Sequence, residues 1–493
     1  MSEQMVWHIS DLTRYLRCPR LFRLDQDQGK APFQQFLRMD EKITDLAMEK
    51  LGVAECFMGK RGDEPGRALE ALEHEEWLVK ARFEYHGLRI KVPFLHRSAS
   101  GWDVYFLLVG LVPRTLSTTF YTAVLWVLEG CGITINGIRI IHLNGDYIRG
   151  RELDTDELFV ISDCFYNEKN RPAGDIETVL KERRTDYGPV LEEMDRLMEG
   201  GIPEAVRRGA CTGRIKCRFF DDCFGEGALP DNSIIHLTGA QHRYRMFDEG
   251  RQYLRDADPL QIEGTAQQYA EIAADRCGGL FADREALRTW LSDVQYPLSF
   301  IDFEWERFAV PPYEGMRPYD VLLFEYALDI VHEDGRQEHK VFLDVHDDRE
   351  ALVKSLLENI PDTGTIIAYN AIGAEMMRIE ELAVQLPAYA ERLRALNSRM
   401  KDLQQPFESG LVYDVRMRGQ WSLKTIMSLM DDPGYKDLDI RHGMDAVYQW
   451  RYLDRGTPDI DTQKIVEELK AYCGMDSYAM TVVYRWLCTL AGL

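Results

Sequence analysis

Asp302 and Glu304 close an apolar run, Leu298–Ser299–Phe300–Ile301–Asp302–Phe303. Side chains two apart on a strand point to the same face. The spacing therefore predicts two adjacent carboxylates, a platform for a hard divalent cation, which favours oxygen ligands. Far downstream, Tyr472 and Asp476 are four residues apart in a helical pattern with Leu469, Cys473 and Met480 as its apolar stripe. Residues at that spacing share a helix face. A phenol beside a metal-binding carboxylate orients a water and helps to deprotonate it. Between these elements lie Tyr369–Asn370, then Glu375 at a helix start, and Asp402 in Met400–Lys401–Asp402–Leu403. A second group is sulfur: Cys211, Cys217 and Cys223 follow one another with five residues in each gap.

The elements that must position these groups are α/β in pattern. Residues 1–235 open with a helical stripe, Ile9–Asp11–Leu12–Tyr15–Leu16. They continue through a helix at Lys42–Leu51 and strands in Phe83–Phe94, Val104–Val112 and Ile133–Leu143, with a helix at Phe120–Glu129 between strands. Residues 236–295 are polar and helical in pattern, with candidates at Gln241–Leu254, Ala266–Asp275 and Arg284–Leu291, and read as a connector. Residues 296–493 form a second α/β unit. Its strands are expected at Leu298–Phe303, Val321–Ile330, His339–Leu343 and Thr365–Tyr369, and its helices at Glu350–Glu358, Ala374–Gln385 and, as one or two pieces, Gln463–Leu490. Such an order of strands and helices suits packed α/β layers.

Composition narrows the function. The chain has 493 residues, 45% of them hydrophobic, enough for two to four domains with packed cores. Its net charge of −23 excludes a wholly basic nucleic-acid coat. Contact with DNA or RNA would need local basic patches or cations held among carboxylates. The Val104–Val112 run is too short to span a bilayer, Met1–Trp7 lacks the apolar core of a signal peptide, and ten scattered cysteines fit a reducing cytoplasm better than a secreted disulfide scaffold.

The ordered acidic set resembles the DnaQ-like exonucleases of the RNase H-related superfamily, which carry a D-E-D-D metal site. Asp302 and Glu304 match their first motif, and Tyr472 and Asp476 their third, over roughly the last two hundred residues. The middle motif departs: the acid after Asn370 is Glu375, one position later than usual, with Asp402 as the alternative fourth ligand. The resemblance implies an RNase H-like domain and phosphodiester hydrolysis, 3′→5′ in direction. Two Mg2+ or Mn2+ ions about 4 Å apart would clamp the attacking and leaving oxygens, with Asp302 bridging them, Glu304 and Asp476 completing the shells, Glu375 as the further acid and Tyr472 on the water.

Gly315–Met316–Arg317–Pro318–Tyr319, the Gly419–Gln420–Trp421–Ser422–Leu423–Lys424 stretch and the Tyr472–Asp476 element resemble an uncharacterised bacterial family of predicted RecB-family nucleases with a C-terminal domain of unknown function. Arg317 and Lys424 are then candidate phosphate contacts.

The opening Ile9–Ser10–Asp11–Leu12 and Tyr15–Leu16–Arg17–Cys18–Pro19–Arg20–Leu21–Phe22 resembles the iron–sulfur RecB-like and AddB-type nucleases, whose restriction-endonuclease-like domain is stapled by one early and three late cysteines. The resemblance implies that Cys18, Cys211, Cys217 and Cys223 ligate a [4Fe–4S] cluster, with Zn2+ as the alternative. The matching nuclease site is degenerate. Pro93, Leu108, Gly110 and Val124 stand where Asp, Glu, Lys and Gln are expected, and a migrated site would have to use Glu84, Asp103 and Lys91. This domain then serves to bind nucleic acid, through basic segments such as Arg14–Arg17–Arg20–Arg23 and Arg207–Arg208 with Arg214, Lys216 and Arg218. The alternative function is an inactive nucleic-acid-binding scaffold or sensor, with a protein partner in a DNA-repair or antiviral defence complex. No membrane partner is expected.

Overall fold

Alternation of buried and half-buried side chains between Trp77 and Leu108 builds three antiparallel strands, Trp77–Tyr85, Leu88–Ser98 and Gly101–Leu108. His86 and Gly87, at φ 48° and 77°, form the two-residue turn joining the first pair. Two successive positive φ values match the right-handed twist of a hairpin. The computed structural model describes residues 5–29, 42–115, 118–212, 216–224, 229–430, 432, 434–440, 443–457 and 460–493. Two compact mixed α/β units divide the chain: Met1–Cys223 with Phe308–Tyr319, and Phe224–Arg307 with Asp320–Leu493. Among the described residues no helix is long and apolar enough to cross a membrane.

In the first unit the three strands continue into Ile135–Leu143 and Phe159–Ser162, with Phe57–Met58 at the opposite edge and Trp7–His8 beside Leu88. Gly101–Leu108 and Ile135–Leu143 run parallel, and parallel neighbours need a crossover. The helix Thr119–Gly130 supplies it. It is apolar on nearly every side and buries Tyr121, Ala123, Val124, Leu125, Val127 and Leu128.

The second unit has a five-stranded sheet in the order Gln337–Leu343, Val321–Val331, Leu298–Arg307, Ile366–Ala368, Met400–Asp402. The first three strands are antiparallel and the last two join in parallel. Strand alternation sorts the central Leu298–Arg307 strand. Ile301 and Phe303 enter a core with Leu352, Leu356 and Ile379, while Leu298 and Phe300 enter another with Met480, Val483 and Tyr484. The second core belongs to the C-terminal helix, a single element from Thr462 to Ala491. Asp461 caps it through the Lys464 N–H at 3.0 Å, and Gly492 ends it at φ 74°.

Residues 236–295 are not a free-standing connector. Leu237, Ala270, Leu287 and Trp290 share the core of the C-terminal helix, because the apolar stripes of Ala266–Arg276 and Arg284–Leu291 are buried against it. Leu280–Ala282 pairs antiparallel with Val412–Asp414. The helix expected at Gln241–Leu254 is shorter, Arg243–Asp248, since Gly250 at φ 91° breaks it.

Glu271 is fully buried on the Ala266–Arg276 helix. It accepts from the Thr238 N–H at 2.8 Å and from Gln267 Nε2 at 3.2 Å. Burial pushes its carboxyl up to about 7, above the ~4.3 of an exposed Glu. The folded chain therefore holds this proton more tightly than the unfolded one. Its contribution to stability is full below about pH 4 and is lost as pH rises toward the folded value. Glu271→Gln keeps the shape, and rotation of the Gln267 amide lets its unpartnered Oε1 accept from the new group. The variant is expected to melt higher than the parent at about pH 8, with the gap closing at about pH 4. Thermal melts across that range check this, and parallel profiles would count against it.

Candidate metal centre

Asp302 and Glu304 project from the central strand toward the C-terminal helix, and Asp476 meets them from that helix. One carboxylate oxygen from each of the three lies within 4.8 Å of the other two. Glu304 and Asp476 are buried, at 9% and 8% exposure. Burial, then the charges of Asp476, Glu304 and Glu375, raise the Asp302 carboxyl well above the ordinary carboxylate range. Burial and the neighbouring acids do the same to Glu304. Asp476 is also raised by burial, against the opposing pull of Tyr435 and Lys424. Three such groups do not ionise together without a compensating cation.

Glu375 opens the helix Glu375–Gln385. Asn370 at φ 59° turns the chain into it, and a Cβ on Gly373 would lie 2.5 Å from Asn370 Oδ1, so a side chain there would displace the Asn370 amide. Glu375 is 3% exposed and its Oε2 has no hydrogen-bond partner. Burial raises its carboxyl well above the usual range, with Asp402 and Asp476 adding to the effect. It is close enough to feel the trio but is not one of the three oxygens within 4.8 Å. Asp402 is otherwise engaged: its oxygens accept from the Gln404 N–H at 2.9 Å and the Ile372 N–H at 3.4 Å.

Tyr472 is 4% exposed, and its Oη accepts from Lys424 Nζ at 2.8 Å. Burial and the carboxylates raise its phenol above the ordinary value, so at neutral pH it is a hydrogen-bond donor and not a base. Lys424 thus stands in the site, 4.6 Å from the Tyr472 ring centre and 5.0 Å from that of Tyr435. Arg317 belongs to the other unit. It is exposed on Phe308–Tyr319, which packs with the first unit, where the Gly315 N–H donates to the Arg149 carbonyl at 2.8 Å.

Two contributors escape sequence reasoning. The Tyr435 hydroxyl donates to Asp476 Oδ1. The buried Cys473 thiol lies 3.5 Å from Asp302 Oδ2 and donates to it. Tyr435 lies 41 residues before Asp476 and carries no motif. Cys473 was legible only as part of the apolar stripe.

In the first unit, Cys18, Cys211, Cys217 and Cys223 line one pocket. Cys18 caps the helix Pro19–Gln28, and the Cys217 N–H donates to the Cys211 carbonyl at 2.9 Å. The arginines read as nucleic-acid contacts also tie this pocket together. Arg17 reaches the Ala210 carbonyl at 2.9 Å, Arg20 the Pro203 carbonyl at 2.6 Å and Arg207 the Cys223 carbonyl at 2.9 Å. Arg14 and Arg218 pair with Asp25 at 3.0 and 2.7 Å. Arg214 lies outside the described residues. A migrated nuclease site does not form: Glu84 opposes Arg89 and Asp103 opposes His96 on one strand, about 23 Å apart at strand rise, and Glu84 is held by Arg89 at 2.7 Å.

Residues 299–422 match the model of a domain of unknown function, DUF2779. The matched stretch includes Asp302, Glu304 and Glu375 and stops short of Lys424, Tyr472 and Asp476. No curated protein matches the chain. Among solved structures, the family B DNA polymerase from the hyperthermophilic archaeon Pyrobaculum calidifontis is similar at 14% identity and a TM-score of 0.24, over 41% of this chain and 27% of the polymerase. At that score the likeness carries no weight for function.

Proposed function

We propose that the chain is a metal-dependent nuclease that hydrolyses phosphodiester bonds of DNA or RNA in its second unit, as a 3′→5′ exonuclease, the direction that the DnaQ-like resemblance implies. The observation that carries this reading is the mutual approach of the Asp302, Glu304 and Asp476 oxygens to within 4.8 Å. The donor set fits hard divalent cations: all oxygen, buried at Glu304 and Asp476 and half-buried at Asp302, and with an orphaned Glu375 Oε2 beside it. Mg2+ or Mn2+ ions bound there would supply Lewis-acid charge and lower the pKa of a bound water. Asp302, Glu304 and Asp476 would hold them, with Glu375 at the margin. Tyr472, fixed by Lys424, would orient the reacting water through its hydroxyl, and Lys424 would offset negative charge on the phosphate.

The first unit, in this reading, is a RecB-like domain with an inactive site that grips nucleic acid, and its four cysteines hold a [4Fe–4S] cluster. A tetrahedral zinc site with Zn–S of about 2.3 Å would bring its sulfurs to about 3.8 Å apart. Four thiols facing one pocket suit either metal, and the [4Fe–4S] cluster is the choice that the RecB-like resemblance implies. The scaffold reading has one observation in its favour, the Tyr435 hydroxyl on an Asp476 oxygen that a cation would otherwise use.

Digestion of end-labelled DNA and RNA, each with and without Mn2+, separates the two. Mn2+-dependent shortening of either polymer supports the nuclease; intact substrates under every condition support the scaffold. Tyr472→Phe is expected to lower kcat about 10²-fold with little change in KM, because the lost hydroxyl positions the water and not the substrate. Single-turnover cleavage assays measure this, and an unchanged kcat removes Tyr472 from the mechanism.

A further inference from the structure

Val321–Leu322–Leu323–Phe324–Glu325–Tyr326–Ala327–Leu328 is an apolar strand interrupted by one acid. In the antiparallel ladder Glu325 stands directly opposite Glu304, and the register shifts immediately afterwards, between Glu304 and Trp305. Directly opposed residues project from the same face with Cβ atoms about 5 Å apart. Glu325 therefore faces the C-terminal helix as Glu304 does, and its charge bears on both Glu304 and Cys473. Its exposure is 0%, and neither Oε1 nor Oε2 has a hydrogen-bond partner. Lys470, whose charge favours the carboxylate, makes no hydrogen bond to it.

A buried carboxylate with no donor is costly, and two acids opposed across a ladder destabilise the pair. Both costs disappear if a cation lies within reach. Resting on the two-cation reading of this site, we propose that Glu325 is a fifth acid of the centre and holds a divalent cation together with Glu304. The charges then balance: two dications and the Lys424 ammonium offset the carboxylates of Asp302, Glu304, Glu325, Glu375 and Asp476. Neither strand pattern nor motif marks Glu325; its register opposite Glu304 does.

Titration of the full chain with Mn2+, followed by electron paramagnetic resonance and calorimetry, tests this without reference to activity. Glu325→Gln is expected to lose one of two Mn2+ ions or to weaken its binding by at least about tenfold, while its melting temperature in chelator equals or exceeds that of the parent. Asp302→Asn serves as the companion. If it abolishes Mn2+ binding and Glu325→Gln binds as the parent does, Glu325 is structural and the proposal falls while the site stands. If the parent binds no Mn2+, both fall. Should Glu325→Gln fail to fold, Glu325→Asp keeps the charge and shortens its reach. That variant must then weaken Mn2+ binding at least about threefold, and unchanged affinity overturns the proposal.

Discussion

Replacing Asp302 with Ala and Asp476 with Asn in one chain is expected to reduce Mg2+- or Mn2+-dependent hydrolysis at least about 10³-fold. These residues supply two of the three oxygens that lie within 4.8 Å of one another, from elements far apart in the chain, so no near neighbour replaces them. Glu304 would remain, with Glu375 outside the trio. The variant should not unfold. Burial raises both removed carboxyls, and the charges of Asp476, Glu304 and Glu375 raise Asp302 further, so their loss relieves desolvation and, at Asp302, like-charge repulsion. In chelator the double variant is expected to melt at or above the parent's temperature. Mn2+ should then stabilise the parent and leave the variant unmoved, since only a bound ligand shifts the folding equilibrium. Activity retained by the double variant would refute the proposed mechanism.

Cys217→Ser should have the second large effect, in the first unit. Cys217 faces one pocket with Cys18, Cys211 and Cys223, and Leu21, Leu24 and Phe219 pack beside it. A cluster ligated there would join the first helices of the unit to the segment that ends it. Loss of one thiolate is expected to release the metal and lower the melting temperature by roughly 10 °C or more. Anaerobically purified parent should be brown, with absorbance near ~400 nm and iron by elemental analysis; zinc without colour would select the alternative. A parent carrying neither metal, together with an unchanged melt for Cys217→Ser, would leave the quartet as plain thiols. The arginine hydrogen bonds to the Ala210, Pro203 and Cys223 carbonyls would then carry the joint alone.

Much of the site was legible because short-range periodicity is strict. A period of two places Asp302 and Glu304 on one strand face, and a separation of four places Tyr472 and Asp476 on one helix face. The buried crossover helix Thr119–Gly130 was equally plain, since a helix apolar on nearly all sides belongs in a core. What failed to show is contact between distant segments. Asp402, the alternative fourth ligand, accepts from the backbone N–H groups of Gln404 and of Ile372, thirty residues earlier. The basic run Arg14 to Arg23 gave no sign that its guanidinium groups pair with Asp25 and Asp27 or reach carbonyls about 190 residues away. Arg317 and Lys424 looked alike as cations, and they belong to different units.

Residue type and spacing alone therefore determined which side chains share a face, that the long periodic segments are strands or helices, and that the acids suit a hard cation. Only the tertiary structure decided which faces meet. Cys473 touches Asp302 across 171 residues, and Glu325 finds Glu304 only through the ladder register. Backbone geometry propagates a pattern over a few residues, whereas the closing of a long loop is set by the packing of whole cores, to which every buried side chain in the unit contributes.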